Sequence, residues 1–216
     1  MVITISREFG AGGSAVAALV AERLGWTLVD NDFVQRVAEK AGCTPEEVAE
    51  REERAPGFLE RLGRVLTLAT PHVGEADLGE PADLAEARLA RLTELVVREL
   101  ADEGRKVLVG RAATAVLAWT EGTLHVRVVA PEGFRVRTAA ERLGLDEARA
   151  LQLLRETDAA RARYHAQFYH RNWAEASHYD LVINTARIGF EGAAEMIVRR
   201  ADAMGFLADP GRLRRR

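Results

Sequence analysis

The sequence predicts an α/β fold in which a five-stranded parallel sheet is covered by helices on both faces. Apolar runs of strand length alternate with segments of helical periodicity, which is typical of a parallel sheet with crossover helices. The chain has 216 residues, of which 48% are hydrophobic, so it is long enough to bury the core of one domain. The five predicted strands are residues 2–6, 27–30, 106–110, 124–129 and 180–184.

The first three predicted elements form a strand, a glycine-rich loop and a helix. Val2 to Ser6 is short, apolar and rich in β-branched residues, as expected of a buried strand. Residues 15–24 then repeat apolar side chains on one helical face, and Gly25 ends the pattern. The second strand at residues 27–30 is followed by another helical pattern that stops near Gly42.

Two regions depart from this alternation. Residues 44–82 contain four prolines and several charges, which favours short helices and loops that project from the sheet. Residues 146–178 are an arginine-rich helical stretch followed by an aromatic and polar turn, which we interpret as a lid.

Composition narrows the class of function. A net charge of −3 does not suggest a nucleic-acid binder, and Cys43 is the one cysteine, so a disulfide framework is excluded. Apolar runs are too short to cross a bilayer, and we expect a cytoplasmic protein without membrane partners.

The glycine loop is the strongest functional signal in the sequence. Gly10, Ala11, Gly12, Gly13 and Ser14 directly follow the first strand and open a helix. At such a junction, main-chain amides and the positive end of the helix dipole converge on one point and bind phosphate. Ser14 is placed to bind Mg²⁺. The alternative is a tight turn in which Ser14 is merely the helix N-cap.

The loop lacks the lysine of the usual phosphate-loop pattern GxxxxGK[ST], because Gly13 stands in its place and Arg7 replaces the first glycine. Another cation must therefore meet the phosphate charge. Arg7 leaves the strand just before the loop and is predicted to fold over it, with an ion pair to Glu8 as the alternative. A dinucleotide-binding loop is a poorer match.

The chain resembles the cytidylate kinase-like family, relatives of the nucleoside monophosphate kinases. The resemblance rests on SREFGAGG at residues 6–13 and extends through LVDNDFVQR, VLVGRAA and DAARARYHAQFYHRNW. It implies a three-layer P-loop kinase fold formed by residues 1–216 as one domain, with a helical acceptor-binding insertion at 36–95 and a lid at 150–178. It also implies transfer of a phosphoryl group from ATP, with Mg²⁺, to a nucleoside monophosphate, CMP first.

The resemblance implies three acceptor-binding residues. Asp30 and Arg36 keep the spacing of the family segment after the second strand, and Arg111 follows the third strand in GRAAT. Ala112 stands where cytidylate kinases have an acid.

Catalytic cations are predicted in the lid. Arg155, Arg161 and Arg163 are candidates, together with Arg7, for stabilising the charge of the transferred phosphoryl group. Arg155 and Arg163 share a helical face, whereas Arg161 points elsewhere. The alternative is a solvated helix with salt bridges to Glu156 and Asp158. The aromatic turn that follows is predicted to be a packed hinge, with a metal site or a base-stacking platform as alternatives.

Two other functions are compatible with the sequence. One is a regulatory protein that binds a nucleotide without catalysis, which the missing lysine favours. The other is a kinase for a small molecule that is not a nucleotide.

Overall fold

A computed structural model of the protein describes residues 1–29 and 82–207. Its five strands form one sheet in the order β2-β3-β1-β4-β5. The recorded pairings of β1 with β3, of β1 with β4 and of β4 with β5 are parallel, which confirms the predicted sheet. The strands are β1 (Val2–Arg7), β2 (Thr27–Val29), β3 (Lys106–Val109), β4 (Thr123–Val129) and β5 (Leu181–Asn184).

Helices follow the strands in the predicted alternation, except that the predicted helix that stops near Gly42 lies outside the described residues. Several helices begin or end at recognisable caps. Gly25 ends the first helix in a left-handed conformation. The carboxylate of Asp146 caps a long helix by accepting from the amide of Arg149 at 2.8 Å. Within the described residues the helices are α1 (Gly13–Leu24), α2 (Ala82–Glu103), α3 (Ala113–Val116), α4 (Glu132–Leu143), α5 (Glu147–Tyr169) and α6 (Thr185–Ala203), with a 3-10 helix at Ala176–His178.

The chain divides into two compact units, residues 1–28 with 100–216 and residues 29–99. The predicted acceptor-binding insertion at 36–95 falls within the second unit, and its residues up to 81 lie outside the described part of the chain. The insertion therefore stays a prediction. Among the described helices, none has the length and apolar composition that a membrane span requires.

One face of the sheet carries the main hydrophobic core. Alternate strand residues, among them Ile3, Ile5 and Val126, pack in one cluster with α1 and α6. Side chains of a strand point alternately to the two faces, so these residues share one side. Each fully buried aliphatic side chain stabilises the fold by about 1.5–3 kcal/mol.

The opposite face is buried but polar. Thr4 Oγ1 lies 2.7 Å from His125 Nδ1 on the neighbouring strand and 3.1 Å from the Thr114 hydroxyl of α3. Two residues further along β1, the Ser6 hydroxyl accepts a hydrogen bond of 2.8 Å from the Trp173 indole nitrogen. Burial of a polar group costs free energy unless the group is hydrogen-bonded. These contacts therefore determine which side chains can pack on this face.

The substitution Trp173→Phe tests this polar face. It removes the indole donor to Ser6 while keeping most of the ring, so we expect the free energy of unfolding to fall by about 1–3 kcal/mol. Urea unfolding followed by circular dichroism measures the change. Trp119 is 96% exposed, and Trp119→Phe is the matched control with an expected change below about 0.5 kcal/mol. Equal effects of the two substitutions would contradict this role of Trp173.

Candidate functional site

The glycine loop connects the end of β1 to the start of α1. The Ala11 amide donates to the Glu8 carbonyl at 3.2 Å, which closes a tight turn with Gly10 at its third position. Gly10 has φ +78°, and a Cβ atom there would overlap the main-chain oxygen of Arg135. Glycine is therefore required at this position both by conformation and by space.

The N-cap residue of α1 has no side chain to cap the helix. It is Gly12, which makes no side-chain hydrogen bond to the amides of the first turn. Ser14 is the second residue of the helix and is exposed, so it is not the N-cap that the alternative interpretation required. Uncapped amides at a helix start bind anions, and an exposed hydroxyl beside them is a suitable oxygen ligand for Mg²⁺.

The Arg7 side chain crosses this junction. A Cβ atom on Gly13 would lie 2.5 Å from Arg7 Cβ and 2.6 Å from Cγ, and one on Gly110 would overlap the Arg7 guanidinium. The arginine stem therefore lies against the position that carries lysine in the usual pattern, and its charged end reaches the turn after β3. The Gly110 amide also donates to the Ile5 carbonyl at 3.0 Å, which joins the ends of β3 and β1.

Glu8 binds two arginines from other elements. Its carboxylate lies 3.4 Å from Arg127 on β4 and 3.5 Å from Arg135 on α4, and it accepts from the Ala130 amide at 3.2 Å. Arg127 is also stacked 4.2 Å from the centre of the Trp173 ring, which adds a cation–π contact.

Side chains of helices α4 and α5 form hydrogen bonds with the main chain just before the glycines. The Phe9 amide donates to Asp158 Oδ1 at 2.9 Å, and Arg161 donates to the Arg7 carbonyl at 2.9 Å. Arg135 donates to Asp158 Oδ2 at 2.6 Å and to the Phe9 carbonyl at 3.3 Å. Burial lowers the pKa of Arg161, and Asp158 opposes that shift.

Two consecutive residues after Gly110 adopt the left-handed conformation, which side chains rarely tolerate. Arg111 has φ +55° and Ala112 has φ +49°. Such strain costs on the order of 1 kcal/mol or more per residue and is concentrated at functional sites. Arg111 thus lies in a constrained turn beside Arg7, at the carboxyl edge of the sheet.

The structure separates the three predicted lid arginines. Arg161 is directed inward to the glycine loop, whereas Arg155 is 64% exposed on its side chain and pairs with Glu132 at 3.3 Å. Arg163 is exposed and has no hydrogen-bond or ion-pair partner in the part of the chain that the structure describes. Asp30 and Arg36 lie outside the described residues.

The aromatic turn after α5 packs against the polar face of the sheet. Arg127 donates to the Trp173 carbonyl at 2.5 Å, and the Tyr179 hydroxyl donates to the same carbonyl at 2.8 Å. Arg171 donates a hydrogen bond to the Thr114 carbonyl at 3.3 Å.

Residues 1–29 and 82–207 contain no cluster of three side chains suited to hold a metal ion.

Arg127 and Arg135 were not predicted from the sequence, and Trp173 was predicted only as part of the packed aromatic turn, without its contacts to Ser6 and Arg127. The signal for Arg127 was present in LHVRVV, where His125 and Arg127 alternate with apolar residues at the period of a strand. No local pattern marks Arg135, whose partners are remote in the sequence.

A parallel sheet with helices on both faces and a glycine loop between its first strand and helix defines the three-layer α/β fold of P-loop kinases. The chain belongs to the cytidylate kinase-like family, whose sequence model matches residues 2–187. A cytidylate kinase from Archaeoglobus fulgidus is 26% identical over 213 residues, which cover 97% of this chain and 99% of that protein.

Two other proteins are similar to this chain, one in structure over nearly its whole length and one in sequence over part of it. A crystal structure of a protein from Eubacterium ventriosum superposes with a TM-score of 0.63 at 20% identity, covering 94% of this chain and 99% of that one. A protein named uronate isomerase from Corynebacterium glutamicum is 29% identical over 133 residues, or 61% of this chain. The chain spans about a quarter of that protein's length, since the match covers 26% of it.

His165 of α5 makes stability depend on pH. Burial, with smaller contributions from the charges of Arg171, Arg127 and His178, lowers its pKa to about 4; burial also lowers the pKa of His125. The unfolded chain, with a histidine pKa near 6.5, binds the proton more tightly than the folded chain. The stabilisation is therefore complete above about pH 6.5 and is lost as the pH falls towards 4.

We expect His165→Gln to reduce this dependence. Between pH 6.5 and 4, the loss in free energy of unfolding should shrink by on the order of 2–3 kcal/mol relative to the unmodified protein. Urea unfolding at several pH values in this range measures both slopes. Identical slopes would contradict a buried neutral His165.

Proposed function

We propose that the protein transfers the γ-phosphoryl group of ATP to a nucleoside monophosphate, with CMP as the first acceptor to test. Membership of the cytidylate kinase-like family and the 26% identity to a cytidylate kinase over nearly the whole chain support this proposal. The observation that carries it is the course of Arg7 across Gly13, because it supplies a cation where the phosphate loop lacks its lysine.

Arginine suits the task that the lysine performs elsewhere. Phosphoryl transfer proceeds through a loose, highly anionic transition state, so catalysis depends on positioning and on positive charge rather than on covalent chemistry. A guanidinium group presents a planar fork of donors that fits two phosphate oxygens at once. Arg7 begins at the end of β1 and ends beside Gly110, so its charge lies at the edge where the α1 amides converge.

The other predicted residues take separate roles in this proposal. Amides of residues 10–14 bind the ATP phosphates, and the Ser14 hydroxyl is a ligand for Mg²⁺, which neutralises charge between the phosphates. Asp30, Arg36 and Arg111 bind the acceptor. Arg155, Arg161 and Arg163 stabilise the transferred group from the lid. Arg155 starts from an exposed pair with Glu132, at the helix that begins just after β4, and exchanges that carboxylate for phosphate.

A second candidate is a protein that binds the nucleotide without catalysis. Ala112 favours it, since this turn residue carries no charge where related kinases have an acid. A coupled assay of ATP turnover with CMP, UMP, AMP and non-nucleotide phosphates, run beside calorimetry with ATP, separates the candidates. Nucleotide binding with no turnover of any acceptor would support the second candidate. Turnover restricted to a non-nucleotide acceptor would support a small-molecule kinase.

Arg7→Ala tests the replacement of the lysine. We expect kcat to fall by about 10²–10³, because a preorganised cation at the developing charge is removed. Steady-state kinetics with the best acceptor measures the change. Arg199→Ala is the matched control, because Arg199 is an exposed arginine of α6 that pairs with Glu195. An Arg7→Ala variant with unchanged kcat would contradict the proposed role.

The geometry also predicts how a lysine could be restored. Gly13→Lys alone has no space because its Cβ would overlap the Arg7 stem. The double variant Arg7→Gly/Gly13→Lys removes both the Cβ and the Cγ atoms that would overlap, and we expect it to turn over at least about tenfold faster than Arg7→Gly, by recovering part of the lost electrostatic stabilisation. Equal rates of the double and single variants would show that the two side chains do not share one position.

A further inference from the structure

Asp158 connects two helices to the main chain that enters the glycine loop. Its Oδ1 accepts from the Phe9 amide at 2.9 Å and lies 3.2 Å from Arg161, while its Oδ2 accepts from Arg135 at 2.6 Å. Arg135 and Arg161 in turn donate to the Phe9 and Arg7 carbonyls. One carboxylate on α5 thus organises the polar contacts that α4 and α5 make with residues 7–9.

This connection is largely shielded from solvent. The side chains of Asp158 and Arg135 are 17% and 12% exposed. Charged hydrogen bonds in such a setting are strong, and removal of one partner leaves the other charges uncompensated. The pair of Arg155 and Glu132 on the same two helices is exposed and contributes little by comparison.

The main chain that Asp158 holds leads directly into the phosphate-binding amides. Phe9 precedes Gly10, where the turn closes and where the main-chain oxygen of Arg135 already occupies the space of a side chain. If the Phe9 amide were released, the turn would lose the contact that fixes its orientation. The amides of residues 10–14 would then no longer converge on one point.

Charge alone predicts the opposite effect of Asp158 on anion binding. The cluster beside the loop holds three guanidinium groups, of Arg127, Arg135 and Arg161, and two carboxylates, of Glu8 and Asp158. Its formal charge is therefore +1. Neutralising Asp158 would raise this charge to +2 and would strengthen phosphate binding if electrostatic attraction decided the matter.

We propose that Asp158 is a positioning residue that holds residues 7–9 in the conformation from which the glycine-loop amides bind polyphosphate. The loop and helix α5 are consequently coupled, because α5 cannot move away from the loop without breaking the Asp158 and Arg161 contacts. The proposal rests on the proposed function in one respect, namely that the loop binds the phosphates of ATP.

Calorimetric titration with inorganic tripolyphosphate and with a non-hydrolysable ATP analogue tests the proposal. For Asp158→Asn we expect both dissociation constants to rise about tenfold despite the added positive charge. Asp146→Asn is the matched control on the same helix, because asparagine caps a helix as well as aspartate does and Asp146 bonds its own helix at Arg149. Its dissociation constants should change less than about twofold.

A second variant keeps the charge and changes the geometry. Asp158→Glu adds one methylene group, so we expect the dissociation constants to rise about threefold or more, whereas an electrostatic role predicts no change. In the kinase assay, the KM for ATP should rise in both variants, with the KM for the acceptor unchanged.

The outcomes separate this proposal from the proposed function. Unmodified protein that binds neither probe would overturn the proposed function. Unmodified protein that binds both probes, with Asp158→Asn binding equally or more tightly, would overturn the positioning role alone. Should Asp158→Asn fail to fold, Asp158→Glu decides, and wild-type affinity in that variant would overturn the positioning role.

Discussion

The side chain of Arg7 fills the space beside Gly13 that a phosphate-loop lysine would otherwise occupy, and the neighbouring residues conform to its path. Gly13 has no room for a side chain because the arginine stem lies against it, and Gly110 has none because the guanidinium lies there. The Arg7 side chain therefore lies beside the position where the usual pattern has its lysine. Gly12, the N-cap residue of α1, makes no side-chain hydrogen bond that would compete with an anion for the amides of the first turn.

Polar contacts from distant parts of the chain hold this junction in place. Glu8 forms ion pairs with Arg127 on β4 and Arg135 on α4, and Asp158 on α5 accepts a hydrogen bond from the Phe9 amide. Three elements therefore contact the segment of residues 8–13 that contains the glycines. Ser6 lies one residue before Arg7, and its hydroxyl accepts a hydrogen bond from the Trp173 indole nitrogen. The segment after α5 thus packs against the same strand end that carries the proposed catalytic cation. Burial of these groups makes their pairing obligatory.

Sequence periodicity predicted the sheet well, because each strand is a short apolar run bounded by turn residues. The glycine loop was predictable for the same reason, since strand, glycines and helix are consecutive. The Asp158 contact was not, because its partner Phe9 is 149 residues away and nothing local marks the pair. The polar face could have been found from Thr4 and Ser6, which alternate with isoleucine along β1. The acceptor residues Asp30 and Arg36 fall outside the described residues and stay predictions.

A crystal structure of the protein grown with Mg²⁺ and a non-hydrolysable ATP analogue tests the central claim most directly. We predict that the β- and γ-phosphates lie within hydrogen-bond distance of the amides of residues 10–14, with the Arg7 guanidinium in contact with a phosphate oxygen. A nucleotide bound elsewhere, or phosphates on the loop with Arg7 turned away from them, would contradict it.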